Sequence, residues 1–337
     1  MKRKDARCVS GGNLMKKYII KRLLITIPII VLVTVFVFTL LYFTPGDPAT
    51  QILGDTATTE ELDSMREYLG IDRPYIVQLG DYLYRLFIKF DLGESWIYKT
   101  NVSWELANRM PRTAAICIYS VLIGALIGIP LGVIAAVNQN GIADKIVLAM
   151  SSILTCVPNY CIALILILVF ALRFGWFPAY GIDEGLRSYI LPCISIMIGS
   201  FSGMARQMRS SMLEVIRSDY VTAARAQGFS RNVVYYLHAL PNALIPIITM
   251  MGTQFAAGLG GTMILETIFS IPGVGLYVSG AITKRDQPAV IGCVVFLGIL
   301  FCLIMLGVDI VYALVDPRIR AQYEAQGSKK HRRRKEK

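Results

Sequence analysis

The sequence predicts an all-α polytopic membrane protein with about six transmembrane helices. The chain has 337 residues, 55% of them hydrophobic, and its mean hydropathy of +0.55 is well above that of an ordinary soluble domain. Several uninterrupted apolar runs reach about 20 residues, the helix length that crosses a hydrocarbon core of about 30 Å. A soluble core helix of that length carries a polar stripe, and these runs carry none.

Six apolar runs define the predicted spans. They are Ile19–Phe43, Thr113–Val137, Ile146–Leu172, Tyr189–Met208, Ala243–Thr267 and Ala289–Leu314. Several runs contain prolines, and neighbouring helices can satisfy the backbone groups that such prolines free. The first run follows basic residues, but it is too long for the apolar region of a signal peptide, so we expect it to stay as an anchor.

The spans divide the chain into five parts. These are a basic N-terminal tail (1–18), a first transmembrane helix (19–43), an extracytoplasmic segment (44–112), a five-helix core (113–314) with a cytoplasmic loop at 213–240, and a basic C-terminal tail (315–337). Lys and Arg cluster in both tails and in the loop, so the positive-inside rule places all three in the cytoplasm. We therefore expect a multi-pass inner-membrane protein with both termini cytoplasmic.

The extracytoplasmic segment has the pattern of a folded helical unit. Thr58 and Glu61 stand at capping-box spacing, and Gly70 follows as a C-terminal stop. An apolar stripe at helical spacing comes next, formed by Ile76, Leu79, Leu83, Leu86, Phe87 and Phe90. We expect this stripe to pack on the spans or on the first helix of the segment, in preference to forming a peptide groove.

The loop at 213–240 predicts a short helix–turn–helix. A helix-compatible stretch from Tyr220 to Gln227 ends at Gly228, which can adopt a left-handed conformation, and a second helix is expected over Arg231–Ala239. Small residues (Thr222, Ala223, Ala224 and Ala226) let another surface approach the first helix closely. The segment carries no catalytic pattern, so it is suited to contact. On composition alone, a plain connecting loop is equally favoured.

Cysteine and histidine usage predicts neither disulfides nor a metal site. The seven cysteines occur singly, and the two histidines belong to no metal-binding pattern. The chain also lacks the GxxxxGK[ST] phosphate loop, so we expect no cofactor in it and no ATP binding by it.

Several motifs, in order along the chain, resemble one family of transport proteins. The loop resembles the EAA loop of ABC-transporter permeases: Ala223, Ala224 and Gly228 match the pattern, and Thr222 replaces its glutamate. The stretches "TPGDPA", "DLGESW", "HALPNALIPIIT", "ETIFSIPGVG" and "VDPRIR" resemble the B-type subunit of dipeptide and oligopeptide importers. The resemblance covers Tyr18 to Arg320 and implies a type I ABC importer permease fold.

The resemblance also implies partners and a mechanism. A second permease, related or identical, encloses the pathway together with this chain, and an extracytoplasmic binding protein delivers the cargo. Two cytoplasmic ATPase subunits bind ATP and Mg²⁺ and grip the EAA helix, also called the coupling helix. The implied cargo is a peptide, although nickel and glutathione importers share these motifs. The chain itself is then a transport subunit and not an enzyme.

Polar residues within the spans are candidates for the translocation pathway. Charged groups are costly at mid-membrane, so a pathway for diverse peptides favours neutral groups such as Asn159, Ser200, Ser202 and Gln254. Each of these is also a candidate for an ordinary interhelical hydrogen bond. Glu266 either lines the outer gate or contacts interfacial water. Asp309 is more readily explained as an ion-pair partner of Arg206 or Arg318 than as a gate charge.

Two other classes of protein are less consistent with the sequence. An ion-coupled secondary transporter is expected to show inverted repeats and paired intramembrane charges, and neither is clear. A membrane enzyme needs a catalytic constellation, which is not found. The basic end of the chain, KKHRRRKEK, predicts attraction to anionic membrane lipid, with nucleic-acid binding the less favoured interpretation.

Overall fold

The computed structural model describes residues 2–315, with side chains described from residue 19 to residue 312 except Lys21. Over this range the chain folds into helices joined by short connections. In chain order they are α1 (Lys2–Phe43), α2 (Pro48–Leu53), α3 (Thr59–Leu69), α4 (Tyr75–Ile88), α5 (Val102–Val137), α6 (Ile142–Cys156), α7 (Asn159–Leu166), α8 (Arg187–Ile216), α9 (Asp219–Ala226), α10 (Leu240–Ala243), α11 (Ile245–Gly261), α12 (Met263–Ile268), α13 (Val274–Thr283) and α14 (Gln287–Val315). Two π-helical stretches, Ile167–Arg173 and Val233–Ala239, continue α7 and precede α10. The predicted C-terminal tail beyond residue 315 lies outside the described residues.

The described helices account for the predicted number of spans. Four are long and apolar enough to cross a membrane, and the number reaches six if each of two bent helix pairs forms one span. One bent pair joins α10 to α11, with a bend of 43°. The other joins α6 to α7 with a bend of 92°, so the predicted span Ile146–Leu172 is sharply bent within its length. Pro158 lies at that break, where a proline ring prevents the helix from continuing.

Two ends of the molecule are separated by the length of α5. Near its start, Thr113 contacts Glu266 and the backbone of Val274, whereas Val133 and Ala136 near its end pack in a core with α9. Twenty residues of helix separate Thr113 from Val133, or about 30 Å, which matches a hydrocarbon core. We call the end that carries residues 44–112 the segment end and the end that carries α9 the loop end.

Glycines let α5 and α8 pack closely. Gly124, Gly128 and Gly132 recur every four residues on the face of α5 that meets α8. A Cβ atom added at Gly128 would lie 2.7 Å from the carbonyl oxygen of Phe201, and one at Gly132 would lie 2.6 Å from that of Ala205. This small-residue face brings two membrane helices into backbone contact along most of their length.

The predicted helices of the segment 44–112 are confirmed. At the start of α3, the Thr58 hydroxyl accepts a hydrogen bond from the Glu61 amide, and Glu61 Oε2 accepts one from the Thr58 amide at 2.9 Å. The bond from the Thr58 backbone holds the pKa of the Glu61 carboxyl below its ordinary value. Gly70 ends the helix with a left-handed φ of +69°.

The apolar stripe of α4 is only partly used for packing. Leu86 is buried, and Leu79 and Phe87 pack beside it in a core formed with α1, α13 and α14. Ile76 and Phe90 are 79% and 84% exposed, so they do not belong to this packed face. The prediction that the stripe packs against the spans therefore holds for its centre.

A buried carboxylate anchors the segment to α14. Asp286, just before α14, is fully buried and accepts hydrogen bonds from the Ser95 hydroxyl and from the amides of Trp96 (3.1 Å) and Ile97 (3.4 Å). Ser95 and Trp96 belong to the "DLGESW" stretch. This arrangement holds the loop before α5 against the α13–α14 turn.

Candidate functional site

The loop end carries the predicted helix–turn–helix, built on a packed base. Val221 and Ala224 on one face of α9 are buried against Met208 and Met212 of α8, together with Val234. On the other face, Thr222, Ala223 and Ala226 are exposed. The helix thus has an anchored face and an open face made of small side chains.

The four predicted residues of the coupling loop differ in exposure and in their place in the loop. Thr222 and Ala223 are on the open face, but Ala224 is only 7% exposed and packs inside the chain's own core. Gly228 follows α9 in the expected left-handed conformation, with φ +86° and open space where a Cβ atom would be. Only Thr222 and Ala223 can therefore offer a side chain to a partner, whereas Ala224 and Gly228 shape the loop.

The second helix of the loop is partly wound as a π-helix. It runs through Val233–Ala239, close to the predicted bounds of Arg231–Ala239, and π-helical turns are often found at functional sites. Exposed aromatic and apolar side chains follow α9 along the chain: Phe229 in the turn, then Tyr236 and Leu237, the last being 69% exposed. The ring of Phe229 lies 5.4 Å from that of His238.

An ion pair that the sequence did not reveal supports the loop end. Both Nε and Nη2 of Arg209 on α8 donate to the carboxylate of Asp144 on α6, at 2.5 and 2.7 Å. The same carboxylate accepts from the amide of Asn140 at 2.9 Å, and Asp144 is nearly fully buried. This bidentate pair fixes the α5–α6 turn beside the base of α9.

Three predicted pathway residues line one cavity. Asn159 of α7, Ser200 of α8 and Gln254 of α11 meet at a cavity of about 460 Å³, whose other lining residues are uncharged. The Oε1 atom of Gln254 is buried with no hydrogen-bond donor among the described residues. That oxygen is closed off from the cavity, and the polar part of the lining consists of neutral amide and hydroxyl side chains.

The other two pathway candidates do not line this cavity. Ser202 is fully buried and donates within its own helix to the carbonyl oxygen of Ile198 at 2.9 Å. Glu266 is also fully buried: its carboxylate accepts from the hydroxyls of Thr113 (2.7 Å) and Thr262 (3.1 Å) and from the amide of Leu276 (3.0 Å). The expectation that Glu266 lines a gate or contacts interfacial water is therefore corrected. It ties α5, α12 and α13 together.

Asp309 forms an ion pair, with a partner other than the two predicted. Its Oδ2 atom lies 2.8 Å from Nη2 of Arg22, so the pair joins the first and last spans. Arg206 instead donates to the carbonyl oxygen of Ser151 (3.0 Å) and to the hydroxyl of Thr155 (2.9 Å). Arg318 lies outside the described residues.

Comparisons with known proteins agree with this architecture. Residues 128–321 match the family described as "Binding-protein-dependent transport system inner membrane component", and residues 15–117 match its N-terminal counterpart. A Brucella melitensis permease protein assigned to a peptide transport system is 38% identical over 91% of this chain and 99% of its own length. The dipeptide transport system permease protein DppB of Alkalihalophilus pseudofirmus is 34% identical over 91% of this chain and all of its own.

Two further relatives extend this picture. The glutathione transport system permease protein GsiC of Salmonella typhimurium is 36% identical over 91% of this chain and 99% of its own length. A solved inward-facing structure of the MetNI methionine ABC transporter matches the fold with a TM-score of 0.52 at 20% identity, over 64% of this chain and 97% of that one.

The bundle of spans, the neutral cavity within it and the anchored loop helix define a membrane component of a transporter. The chain belongs to the family of binding-protein-dependent transport system inner membrane components, and it is a permease subunit of the ABC importer class.

Proposed function

We propose that this chain is the B-type permease of an ATP-driven peptide importer and that α9 is its coupling helix. The observation that carries the proposal is the two-faced construction of α9, which is packed into α8 on one side and open on the other. A partner that binds the open face of α9 can move this helix, and α8 moves with it because the two helices are packed together.

The structure offers a direct path from the coupling helix to the cavity. Val221 and Ala224 pack on Met208 and Met212 of α8, and the same helix presents Ser200 to the cavity. Twelve residues of helix, or about 18 Å, separate Met212 from Ser200. A displacement of α9 is therefore carried to the cavity wall by one continuous helix.

The partner side of the proposal rests on the exposed groups of the loop. ATPase subunits in the cytoplasm seat on the open face of α9, with Phe229, Tyr236 and Leu237 as the apolar rim of the contact. ATP and Mg²⁺ bind in those ATPase subunits and bind more tightly when the two subunits are closed together. Closure of the ATPase pair then shifts the permease from the inward-open to the outward-open state. A second permease completes the pathway, and a binding protein delivers cargo at the segment end.

Peptide cargo is supported by the chemistry of the cavity and by the relatives. A lining of amide and hydroxyl groups tolerates peptides of any charge, which a fixed ion pair does not. It also lacks the carboxylate, imidazole and thiolate groups that bind nickel ions. The relatives named above are described as peptide, dipeptide and glutathione transport permeases, and glutathione is itself a peptide.

The decisive experiment places bulk on the open face of α9. In proteoliposomes that contain the complete transporter and internal ATP, Ala223→Trp should reduce uptake of radiolabelled trialanine at least tenfold and weaken co-purification of the ATPase. Ser64→Trp, an equal increase in bulk on the exposed surface of α3 at the opposite end of the molecule, is the matched control for the ATPase contact and should leave co-purification of the ATPase unchanged.

Two outcomes would contradict the proposal. Wild-type uptake by Ala223→Trp with the ATPase still bound would show that α9 is not the coupling contact. Uptake that follows an imposed ion gradient and needs no ATP would favour a secondary transporter.

A further inference from the structure

A second cavity, of about 690 Å³, lies at the segment end and shares no lining residue with the pathway cavity. Its walls come from the last turn of α1, the turn 44–48 and the start of α14, with further lining residues from α3, α4 and α13. Two stretches that the transport function leaves unexplained meet here: "TPGDP" at 44–48 and "RDQP" at 285–288.

The two turns are shaped around the side chain of Arg285. Gly46 has φ +120°, and a Cβ atom added there would overlap the guanidinium group of Arg285. Arg285 itself has a left-handed φ of +57°, an uncommon conformation for an arginine. Its neighbour Asp286 is held by the Ser95 loop, which fixes the backbone in this conformation. The guanidinium is therefore directed into the cavity by the fold on both sides.

Arg285 lacks an internal acceptor, although an acid lies in the same cavity. Asp47 is already used: it accepts from Nη2 (2.6 Å) and Nε (2.9 Å) of Arg66 and from the amide of Ala49 (3.0 Å). Among the described residues, Arg285 has no ion-pair or side-chain hydrogen-bond partner, and the buried Nε2 of Gln287 has no acceptor. The guanidinium of Arg285 is partly exposed and is therefore available to an anionic oxygen group, whereas Nε2 of Gln287 has almost no accessible surface and is closed off from the cavity.

One wall of the cavity is apolar and continues onto the surface of a membrane span. Leu40 and Leu41 of α1 and Val290 of α14 form this wall, and Leu40 is more than half exposed. Tyr42 and Phe43 end α1 beside it, in the position where aromatic residues mark the membrane interface. A ligand that satisfies both walls is amphiphilic, with an anionic head and an apolar tail.

We propose that this cavity binds a membrane phospholipid, with its phosphate group on Arg285 and an acyl chain along Leu40, Leu41 and Val290. The phosphate supplies the acceptor oxygens that Arg285 lacks, and a guanidinium group is well suited to bind phosphate through two hydrogen bonds. The site is separate from the transport pathway and does not depend on which cargo the permease carries.

The test is lipid binding to the purified full-length chain in detergent, measured by native mass spectrometry with phosphatidylglycerol as the probe. Arg285→Gln should weaken binding about tenfold, the effect expected from the loss of one charge-assisted contact. Gly46→Ala should weaken binding similarly, because the added Cβ displaces the guanidinium. Lys284→Gln is the matched control: this neighbouring cation lies 4.9 Å from the centre of the Tyr98 ring and should bind lipid like the wild type.

Two competitors identify the chemistry that is recognised. Diacylglycerol with the same acyl chains lacks the phosphate and should bind at least tenfold more weakly, whereas inorganic phosphate at the lipid concentration should not displace the lipid. Displacement by inorganic phosphate would overturn the lipid assignment in favour of a free anion. Equal binding of diacylglycerol, unchanged binding by both the Arg285 and Gly46 variants, or an equal loss in Lys284→Gln would overturn the site.

Discussion

At Gly228, two residues after the end of α9, the backbone takes φ +86°, and open space surrounds the position of a Cβ atom. A side chain there would meet no neighbour, so a substitution acts through the backbone conformation alone. A substitution at Gly228 therefore tests whether the loop needs this backbone conformation, without changing how the loop packs.

Replacing Gly228 with valine should therefore impair coupling without preventing membrane insertion. A left-handed conformation costs a non-glycine residue about 1–2 kcal/mol, and β-branching adds to the difficulty. We expect reduced ATP-dependent peptide uptake at a normal level of the protein in the membrane. Asparagine tolerates this conformation best among other residues, so Gly228→Asn should retain most uptake. Equal activity of the valine and asparagine variants would show that the turn is not required.

Glu266 should stabilise the folded protein, because its buried carboxylate accepts hydrogen bonds from three donors. In Glu266→Gln an NH₂ group replaces one carboxylate oxygen and faces a donor, so at least one hydrogen bond to a charged acceptor is lost, at a cost of about 2 kcal/mol. We expect a lower thermal unfolding midpoint in detergent. Glu60→Gln on the exposed surface of α3 is the control and should not change it. An unaltered midpoint in Glu266→Gln would contradict the structural role.

Ser200 and Ser202 show what residue-level prediction can and cannot reach. Two residues apart on a helix, they point about 200° apart, so one cavity on one side of α8 can receive only one of them. Helical geometry alone excludes the pair, but which serine faces the cavity depends on how α8 packs against α5 and α7.

At the scale of elements, the contact between α5 and α8 is the most extensive between any two helices among the described residues. Its glycines bring a helix backbone within van der Waals distance of the carbonyl oxygens of Phe201 and Ala205. Any side chain there must push the helices apart or strain them.

Gly128→Val should therefore destabilise the fold. Overpacking of this kind costs about 1–3 kcal/mol, and we expect a lower unfolding midpoint and a lower yield of monodisperse protein. Gly298→Val on α14 is the matched control, since a Cβ atom there meets nothing within 4 Å. A similar drop in the unfolding midpoint of both variants would mean that the destabilisation comes from replacing a glycine within a helix, and not from the contact between α5 and α8.

The caps of α3 and the end of α9 were predictable because each depends on residues within a single turn. The 92° break between α6 and α7 was not, since hydropathy shows one continuous run across Pro158. A proline interrupts a helix, but the direction of the chain after it is set by tertiary packing. The same limit hid the pair of Asp144 and Arg209, which lie 65 residues apart with no local pattern.

For the whole molecule, the two ends lie about 30 Å apart along α5, and the coupling proposal assigns them to opposite sides of the membrane. Residues 44–112 occupy one end and α9 the other, so a single exposed position at each end reports the orientation.

A cysteine at Ser64 should react with a membrane-impermeant maleimide in intact spheroplasts, whereas a cysteine at Ala223 should react only after permeabilisation. Both side chains are exposed, so accessibility depends on the side of the membrane and not on burial. The parent chain, labelled in parallel, gives the background from the native cysteines. Labelling of the Ala223 cysteine in sealed spheroplasts would show that α9 lies outside the cytoplasm. A cytoplasmic ATPase could then not contact it.

Asp286 limits how the segment end can change shape. Pulling residues 95–97 away from the start of α14 would leave a desolvated carboxylate without its donors, a penalty of several kcal/mol. We therefore expect the segment and the start of α14 to move together as one rigid unit during transport. An opening of the pathway at the segment end then requires the whole unit to tilt. A covalent cross-link between position 95 and the start of α14 should therefore leave the rate of ATP-dependent peptide uptake unchanged.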